Sequence, residues 1–323
     1  MCTSIHFKTK DSYFGRNLDY EFSYQETITI TPRNYPFHFH NGKDILHHYA
    51  LIGMAYVQEN YPLYYDAINE MGLGIAGLNF PNNAFYHPHD DKKDNVASFE
   101  LIPYILCQCK NIKEVKELLS NLNIEDINFN EHLKASPLHF MISDKDETIV
   151  VESVKEGLKV YDNPIGVLTN NPPFDFHLLN LANYLNVTSE EATNRFASNI
   201  SIIPFSRGMG SIGLPGDLSS PSRFIKAAFT KLNSKCDDDE ESSIAQFFHI
   251  LNSVAQQKGC CKVNGKYEYT IYSSCANLTK GIYYYTTYEN SQITSVDMHH
   301  YDLESNELCN LPMLSKLRHY AQY

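Results

Sequence analysis

Apolar and polar positions alternate in short runs along most of the chain, and the runs separate into two kinds. Thr3, Ile5 and Phe7 alternate with Cys2, Ser4 and His6, the two-residue period of a half-buried strand, and Cys2 falls at that strand's free end. Thr27 to Thr31 repeats the pattern and is closed by Pro32, and residues 49–57 read as a further strand, followed by a tyrosine-rich stretch ending at Asp66. Residues 71–80 form an apolar strand punctuated by Gly72, Gly74 and Gly77, which points to close backbone approach on one side. From Ser98 the period lengthens to that of a helix, bent by Pro103. A second helix follows, with Asn111 as cap and Ile112, Val115, Leu118, Leu119 and Leu122 on one face.

Three strands with short turns are expected at 138–142, 148–153 and 158–161. The apolar run 165–168 then ends at the turn Thr169-Asn170-Asn171-Pro172-Pro173. Residues 174–185 and a short stretch opening at Thr188 read as helical. Ser220 caps a helix with Pro221 in its first position, so Arg223 falls in the first turn. Ile244, Phe247, Phe248, Leu251 and Val254 mark a strongly amphipathic helix. Asn264-Gly265 is a hairpin turn, and strands at 266–273 and 281–288 complete the series. Blocks of strands and blocks of helices, rather than strict alternation, predict an α+β protein with two antiparallel or mixed sheets flanked by helices. No linker or repeat divides residues 1–323, so one domain is expected.

Composition narrows the function. With 43% hydrophobic and 13% aromatic residues, the 323-residue chain can bury a sizeable core. A formal charge of −12 argues against sequence-independent nucleic-acid binding and against anionic membrane surfaces. No run approaches the apolar length that spans a bilayer, and no basic-plus-apolar leader opens the chain. The eight cysteines are therefore expected to be free thiols in a reducing cytoplasm.

Several motifs invite chemistry and fail on context. Gly208-x-Gly210-x-x-Gly213 follows no strand and precedes no helix directly, so it does not make a phosphate cradle. The histidine pairs at 38/40, 47/48, 87/89 and 299/300 lack a neighbouring cysteine or glutamate at ligand spacing, and neither a metal nor a cofactor is expected. Cys2 stands apart. Trimming of Met1 would give it a free α-amine beside its thiol, and the amine can act as the thiol's base. Arg16 would then favour the thiolate, and the Asp19 carboxylate would orient the amine. The same position also fits a buried, inert cysteine. Asn79, at the end of an apolar strand, and Asn170 offer amides suited to an oxyanion, although each also fits a turn, and Arg223 alone fits a surface helix.

Taken jointly these segments resemble one family. Met-Cys-Thr at the start, Phe-Gly-Arg-Asn-Leu-Asp at 14–19, Thr-Pro-Arg-Asn at 31–34 and Gly-Leu-Asn-Phe-Pro at 77–81 are similar to the conjugated bile salt hydrolases. So are Val-Leu-Thr-Asn-Asn-Pro at 167–172, Gly-Leu-Pro-Gly-Asp-Leu-Ser-Ser at 213–220 with Ser-Arg-Phe at 222–224, and Lys-Gly-Ile-Tyr-Tyr-Tyr at 280–285. These belong to the choloylglycine hydrolase group of N-terminal nucleophile enzymes, which includes penicillin V acylases. The resemblance implies a four-layer αββα sandwich and a cofactor-free amidase. In it Cys2, exposed by loss of Met1, cleaves the amide joining a bile acid to glycine or taurine.

By the same resemblance Arg16 and Asp19 organise the cysteine, Asn79 and Asn170 (or the adjacent Asn171) hold the oxyanion, and Arg223 completes the site. Leu18, Tyr24, Tyr65, Phe129, Leu133 and Leu138 are implied to wall a steroid pocket, and a homotetramer is implied. Penicillin V acylases usually carry tyrosine where Asn79 stands, so the bile salt branch is favoured over an acylase of penicillin V or of acyl-homoserine lactones. Phe140 departs from the tryptophan that many relatives carry, and Ala276 from a second cysteine.

Overall fold

The computed structural model describes residues 1–317, 319, 321 and 322. Its first sheet runs in the order Val167–Leu168, Cys2–Lys8, Ser12–Tyr20, Lys266–Asn277, Ile282–Thr287 and Thr294–Asp297, with Cys261–Val263 added beside Lys266–Asn277. The second runs Gly157–Asp162, Thr148–Val154, Leu138–Ser143, Gly74–Asn79, Tyr61–Asn69, Leu51–Gln58, Thr27–Thr31 and Cys309–Pro312. Every neighbouring pair within these two sheets is antiparallel.

Two apolar clusters fix the layers. One joins Ile5 and Phe14 of the first sheet to Ile52, Ile68, Leu78 and Met141 of the second, and reaches Phe224, Ile225, Phe247 and Leu251 of the helices Ser220–Asn233 and Glu240–Asn252. The other packs Leu51, Ala67, Ile75, Ile142 and Val151 against Leu101, Ile105, Ile112 and Val115 of the helices Leu101–Leu106 and Ile112–Leu119. The result is helices, sheet, sheet, helices: the four-layer αββα sandwich.

Local chemistry explains most of the element ends. The Asn111 side chain accepts from Glu114 N at 2.9 Å, and Asp239 caps the helix Glu240–Asn252 in the same way. Asn264 and Gly265 both have positive φ, 49° and 83°, the mirror-image turn that matches strand twist in a two-residue hairpin. Gly15 is required by packing, because a Cβ there would lie 2.0 Å from Ser274 O.

Three expectations are corrected. Leu122 is not on the helix face. It opens the strand Leu122–Glu125, which pairs in parallel with Asp94–Ala97, and its burial there mimics helical period. Thr188 opens no helix: Thr188 N donates to Gly210 O at 2.9 Å and its hydroxyl accepts from Glu190 N, so the segment is tied sideways instead of coiling. The helix carrying Arg223 begins at Ser220 with Ser219 in the capping position, one residue earlier than expected.

Candidate active site

Antiparallel register assembles the site at one end of the first sheet. Cys2 pairs with Leu18 and Ser4 with Arg16, so Cys2, Leu18 and Arg16 project from the face turned to the second sheet. Asp19, three residues beyond Arg16, leaves the strand on the opposite face, toward the helix Ser220–Asn233. Its Oδ1 accepts from Thr270 Oγ1 at 2.6 Å, and its Oδ2 lies 3.9 Å from Arg223 Nη1. Cys2 is thus flanked by a guanidinium on one side of the sheet and a carboxylate–guanidinium pair on the other. All four side chains are nearly inaccessible to solvent.

Asn170 links these groups. Its Oδ1 accepts from Cys2 N at 2.7 Å and from Arg223 Nη2 at 2.7 Å. Two donors converge on that atom, which fixes it as the oxygen, and the amide nitrogen gives a hydrogen to Asn79 O at 2.7 Å. Arg223 Nη1 also donates to Cys2 O and to Thr3 Oγ1, the latter at 2.6 Å. Asn171 instead turns its amide to Pro81 O. Of the two adjacent asparagines, only Asn170 reaches Cys2. Asn79 is half-buried, and its side-chain amide makes no hydrogen bond among the described residues.

A cavity of about 300 Å³ opens in front of Cys2. Cys2, Arg16, Asp19 and Asn79 line it, as do all six residues expected to form the apolar wall: Leu18, Tyr24, Tyr65, Phe129, Leu133 and Leu138. Phe140 also lines it. Arg223 and Asn170 do not line the cavity and sit behind Cys2. Among the described residues no group of three or more His, Cys, Asp or Glu could hold a metal ion.

Burial governs the electrostatics. Burial penalises the Arg16 guanidinium, but Cys2, Tyr272, Asp66 and Asp19 outweigh that and raise its pKa. Burial pushes the Asp19 carboxyl above its ordinary range, with Arg223, the N-terminal ammonium and Thr270 pulling against it. Burial also lowers the Arg223 guanidinium, which Asp19 and Cys2 partly restore. A fully buried acid near Arg16, its carboxyl pushed up by burial, escaped the sequence reading. Asp66 accepts from Tyr272 Oη at 2.6 Å, Tyr283 Oη at 2.7 Å and Ser274 Oγ at 3.0 Å. Its only sequence signal is a lone acid in an apolar, tyrosine-rich strand.

A second missed group clamps the turn that carries Asn170. His139 Nε2 contacts Thr169 O at 2.9 Å while its Nδ1 meets Glu152 Oε1 at 3.0 Å, and the same carboxylate oxygen accepts from Phe174 N. His177 Nε2 bonds to Asn170 O at 2.9 Å, and Ser220 Oγ accepts from Asn170 N at 2.8 Å. The signal was again a polar residue at an inward position of an apolar strand: His139 and Glu152 are both fully buried.

Two buried histidines predict acid sensitivity. Burial lowers His6 from 6.5 to about 4, helped by nearby Lys231, and burial lowers His177 from 6.5 to about 4. Between those values the unfolded chain binds protons that the folded one refuses. Their stabilising contribution is therefore complete above pH 6.5 and is lost as pH falls toward 4. The folded state loses up to about 3 kcal/mol per site by the acid end. Denaturant titrations are expected to show unfolding free energy falling from pH 6.5 to 4.5, with a shallower slope in His6→Gln.

The family model of linear amide C–N hydrolases, choloylglycine hydrolase family, matches residues 2–311. The bile salt hydrolase/transferase of Lactiplantibacillus plantarum is 55% identical over 322 residues, 99% of each chain. A mutant of the conjugated bile acid hydrolase from Clostridium perfringens superposes with a TM-score of 0.92 at 39% identity, covering 99% of both chains. The penicillin V acylase of Agrobacterium tumefaciens, 18% identical with a TM-score of 0.76 over 96% of this chain and 91% of that one, shares the fold. This chain belongs to the choloylglycine hydrolase family of linear amide C–N hydrolases.

Proposed function

We propose that the protein hydrolyses the amide bond of glycine- or taurine-conjugated bile salts, with Cys2 as nucleophile once Met1 has been removed. The observation that carries the reading is Cys2 at the base of an apolar-walled cavity, its backbone nitrogen held by Asn170 and its carbonyl oxygen by Arg223. In this mechanism the freed α-amine of Cys2 takes the thiol proton and Sγ attacks the amide carbonyl carbon. The carbonyl π electrons move to oxygen, where the free Asn79 amide donates to the oxyanion. Collapse breaks the C–N bond, and the leaving nitrogen takes the proton from the Cys2 ammonium. The resulting thioester is then attacked by water, which gives its proton to the same amine, and the bile acid leaves.

Arg16 supplies the fixed positive charge that favours thiolate. Arg223 acts behind Cys2, holding its carbonyl oxygen, and the Asp19 carboxylate faces that guanidinium. Asn170 orients the Cys2 amine through Oδ1, and its amide nitrogen braces the backbone of Asn79. Leu18, Tyr24, Tyr65, Phe129, Leu133 and Leu138 receive the steroid body, whose burial contributes about 25 cal/mol per Å² of apolar area before the costs of association.

The test is product analysis on a panel of glycine- and taurine-conjugated bile salts with penicillin V and an acyl-homoserine lactone alongside, using protein whose intact mass is known. We expect free bile acid from chains lacking Met1 and at most about one-hundredth of that rate from verified Met1-bearing chains, whose amine is tied up in a peptide bond. Preferential cleavage of penicillin V would overturn the substrate, and full activity with Met1 in place would overturn the amine's role.

We further propose that residues 1–323 work as one cytoplasmic domain and assemble as a homotetramer. Supporting assembly, Leu185, Phe196, Ile203 and Phe205 are each at least 80% exposed on one irregular segment, more apolar area than a lone surface normally shows. Light scattering is expected to give four times the 37.0 kDa chain mass, and Phe196→Ser with Phe205→Ser to give a smaller species.

A further inference from the structure

Met1 occupies a defined place beside Cys2 in the same cavity. Its ammonium donates to Asp19 O at 2.6 Å and lies 3.3 Å from Glu268 Oε2, while Asp19 N donates to Met1 O at 2.9 Å. Glu268 is only 7% exposed. Gln256, 1% exposed, directs Nε2 at Met1 Sδ, and its Oε1 has no partner among the described residues; neither does Asp19 Oδ2. The Met1 nitrogen therefore sits between two acceptors, the Asp19 carbonyl oxygen and the buried Glu268 carboxylate. The guanidinium nearest to these acceptors, Arg223 Nη1, faces Asp19 Oδ2 from 3.9 Å and lies behind Cys2. A group with several N–H donors and positive charge suits this place, and an anion does not.

We propose that the place held by Met1 nitrogen is a subsite for a primary amine, and that in the processed enzyme it receives the amine nitrogen of the amino acid cut from the substrate. The inference rests on the reading above, because the place is free only after Met1 is removed. Its geometry follows from covalent structure. Nitrogens of consecutive residues are three bonds apart, about 2.8–3.6 Å depending on ψ. A leaving nitrogen at the Met1 nitrogen position is thus within hydrogen-bonding reach of the Cys2 amine that must protonate it.

While still an amide, that nitrogen has one hydrogen to give, and Asp19 O is there to accept it. When the C–N bond breaks, the nitrogen gains the proton from Cys2 and becomes a neutral amine. A further proton from solvent gives the ammonium, which Glu268 then holds by charge. Glu268 so favours the departed form over the amide.

The experiment uses active protein shown by intact mass to lack Met1. Initial rates of bile-salt hydrolysis are measured with added glycine, methylamine and glycolate, the last carrying a hydroxyl in place of the ammonium. Glycine and methylamine are expected to inhibit with constants at least about tenfold below that of glycolate, the difference expected for a charge-assisted hydrogen bond. In Glu268→Gln, a near-isosteric change, the glycine-to-glycolate ratio is expected to collapse toward unity. General damage would weaken both inhibitors alike and leave the ratio standing.

Equal inhibition by glycine and glycolate in the parent overturns the subsite while leaving the hydrolase reading intact, as does an unchanged ratio in Glu268→Gln. If Glu268→Gln does not fold, the parent ratio alone decides. Activity in chains that keep Met1 overturns both readings together.

Discussion

Cys2→Ser is expected to yield a folded protein whose kcat is at most about one-thousandth of the parent value. The change is small in volume and falls at a strand end where the backbone pairing, Cys2 with Leu18, is untouched. The bond from the backbone nitrogen to Asn170 Oδ1 also persists, so the amine remains placed. What is lost is the sulfur nucleophile. A hydroxyl must surrender its proton far above neutral pH, and the Arg16 charge cannot make up that difference. Turnover is read from bile acid release and folding from a denaturant titration on the same sample. Parent-like turnover in the serine variant would remove Cys2 from the mechanism.

Asn170→Ala is expected to lower kcat by about a hundredfold or more and to cost about 1–3 kcal/mol of stability. Both effects come from one atom. Asn170 Oδ1 accepts from Cys2 N and Arg223 Nη2, and Arg223 is 1% exposed. Alanine strands a buried guanidinium donor with no water to replace the lost partner, and this is the stability term. It also frees the Cys2 amine to rotate away from the thiol, and this is the catalytic term. The steroid wall does not include Asn170, so KM should move much less than kcat. Asn171→Ala is the control: its amide bonds to Pro81 O instead, and it should leave kcat within about threefold. Equal losses in the two variants would show that the turn as a whole, and not the Asn170 oxygen, matters.

Much of this architecture was legible in the chain because it is written in local rules. Two-residue alternation marked Cys2–Lys8 and Thr27–Thr31 as strands, Asn111 announced its helix, and Asn264-Gly265 announced its hairpin. The misreadings arose where local rules give the same signal for different structures. Leu122 is buried in either a helix or a strand, and only its parallel pairing with Asp94 decides which. The acidic start after Thr188 looks like a helix opening until Gly210, more than twenty residues away, takes the Thr188 backbone.

The supporting shell was less legible for the same reason. Asp66, His139, Glu152 and His177 carry no motif. Each is a polar residue in an apolar stretch, which by periodicity alone is indistinguishable from an irregularity. Their partners come from other strands and helices: Tyr272 and Tyr283 for Asp66, Thr169 and Glu152 for His139.

The chain by itself supplied the candidate reacting groups, the alternation that builds two sheets, and the family to which the motifs point. Only the tertiary structure decided that Asn170 and not Asn171 reaches Cys2, that Arg223 lies buried behind it, and that six dispersed apolar residues meet around one cavity. The physical reason is that such contacts are set by the packing of one sheet on another and of a helix on both. Those distances depend on summed side-chain volumes across the core, which no local stretch of sequence records.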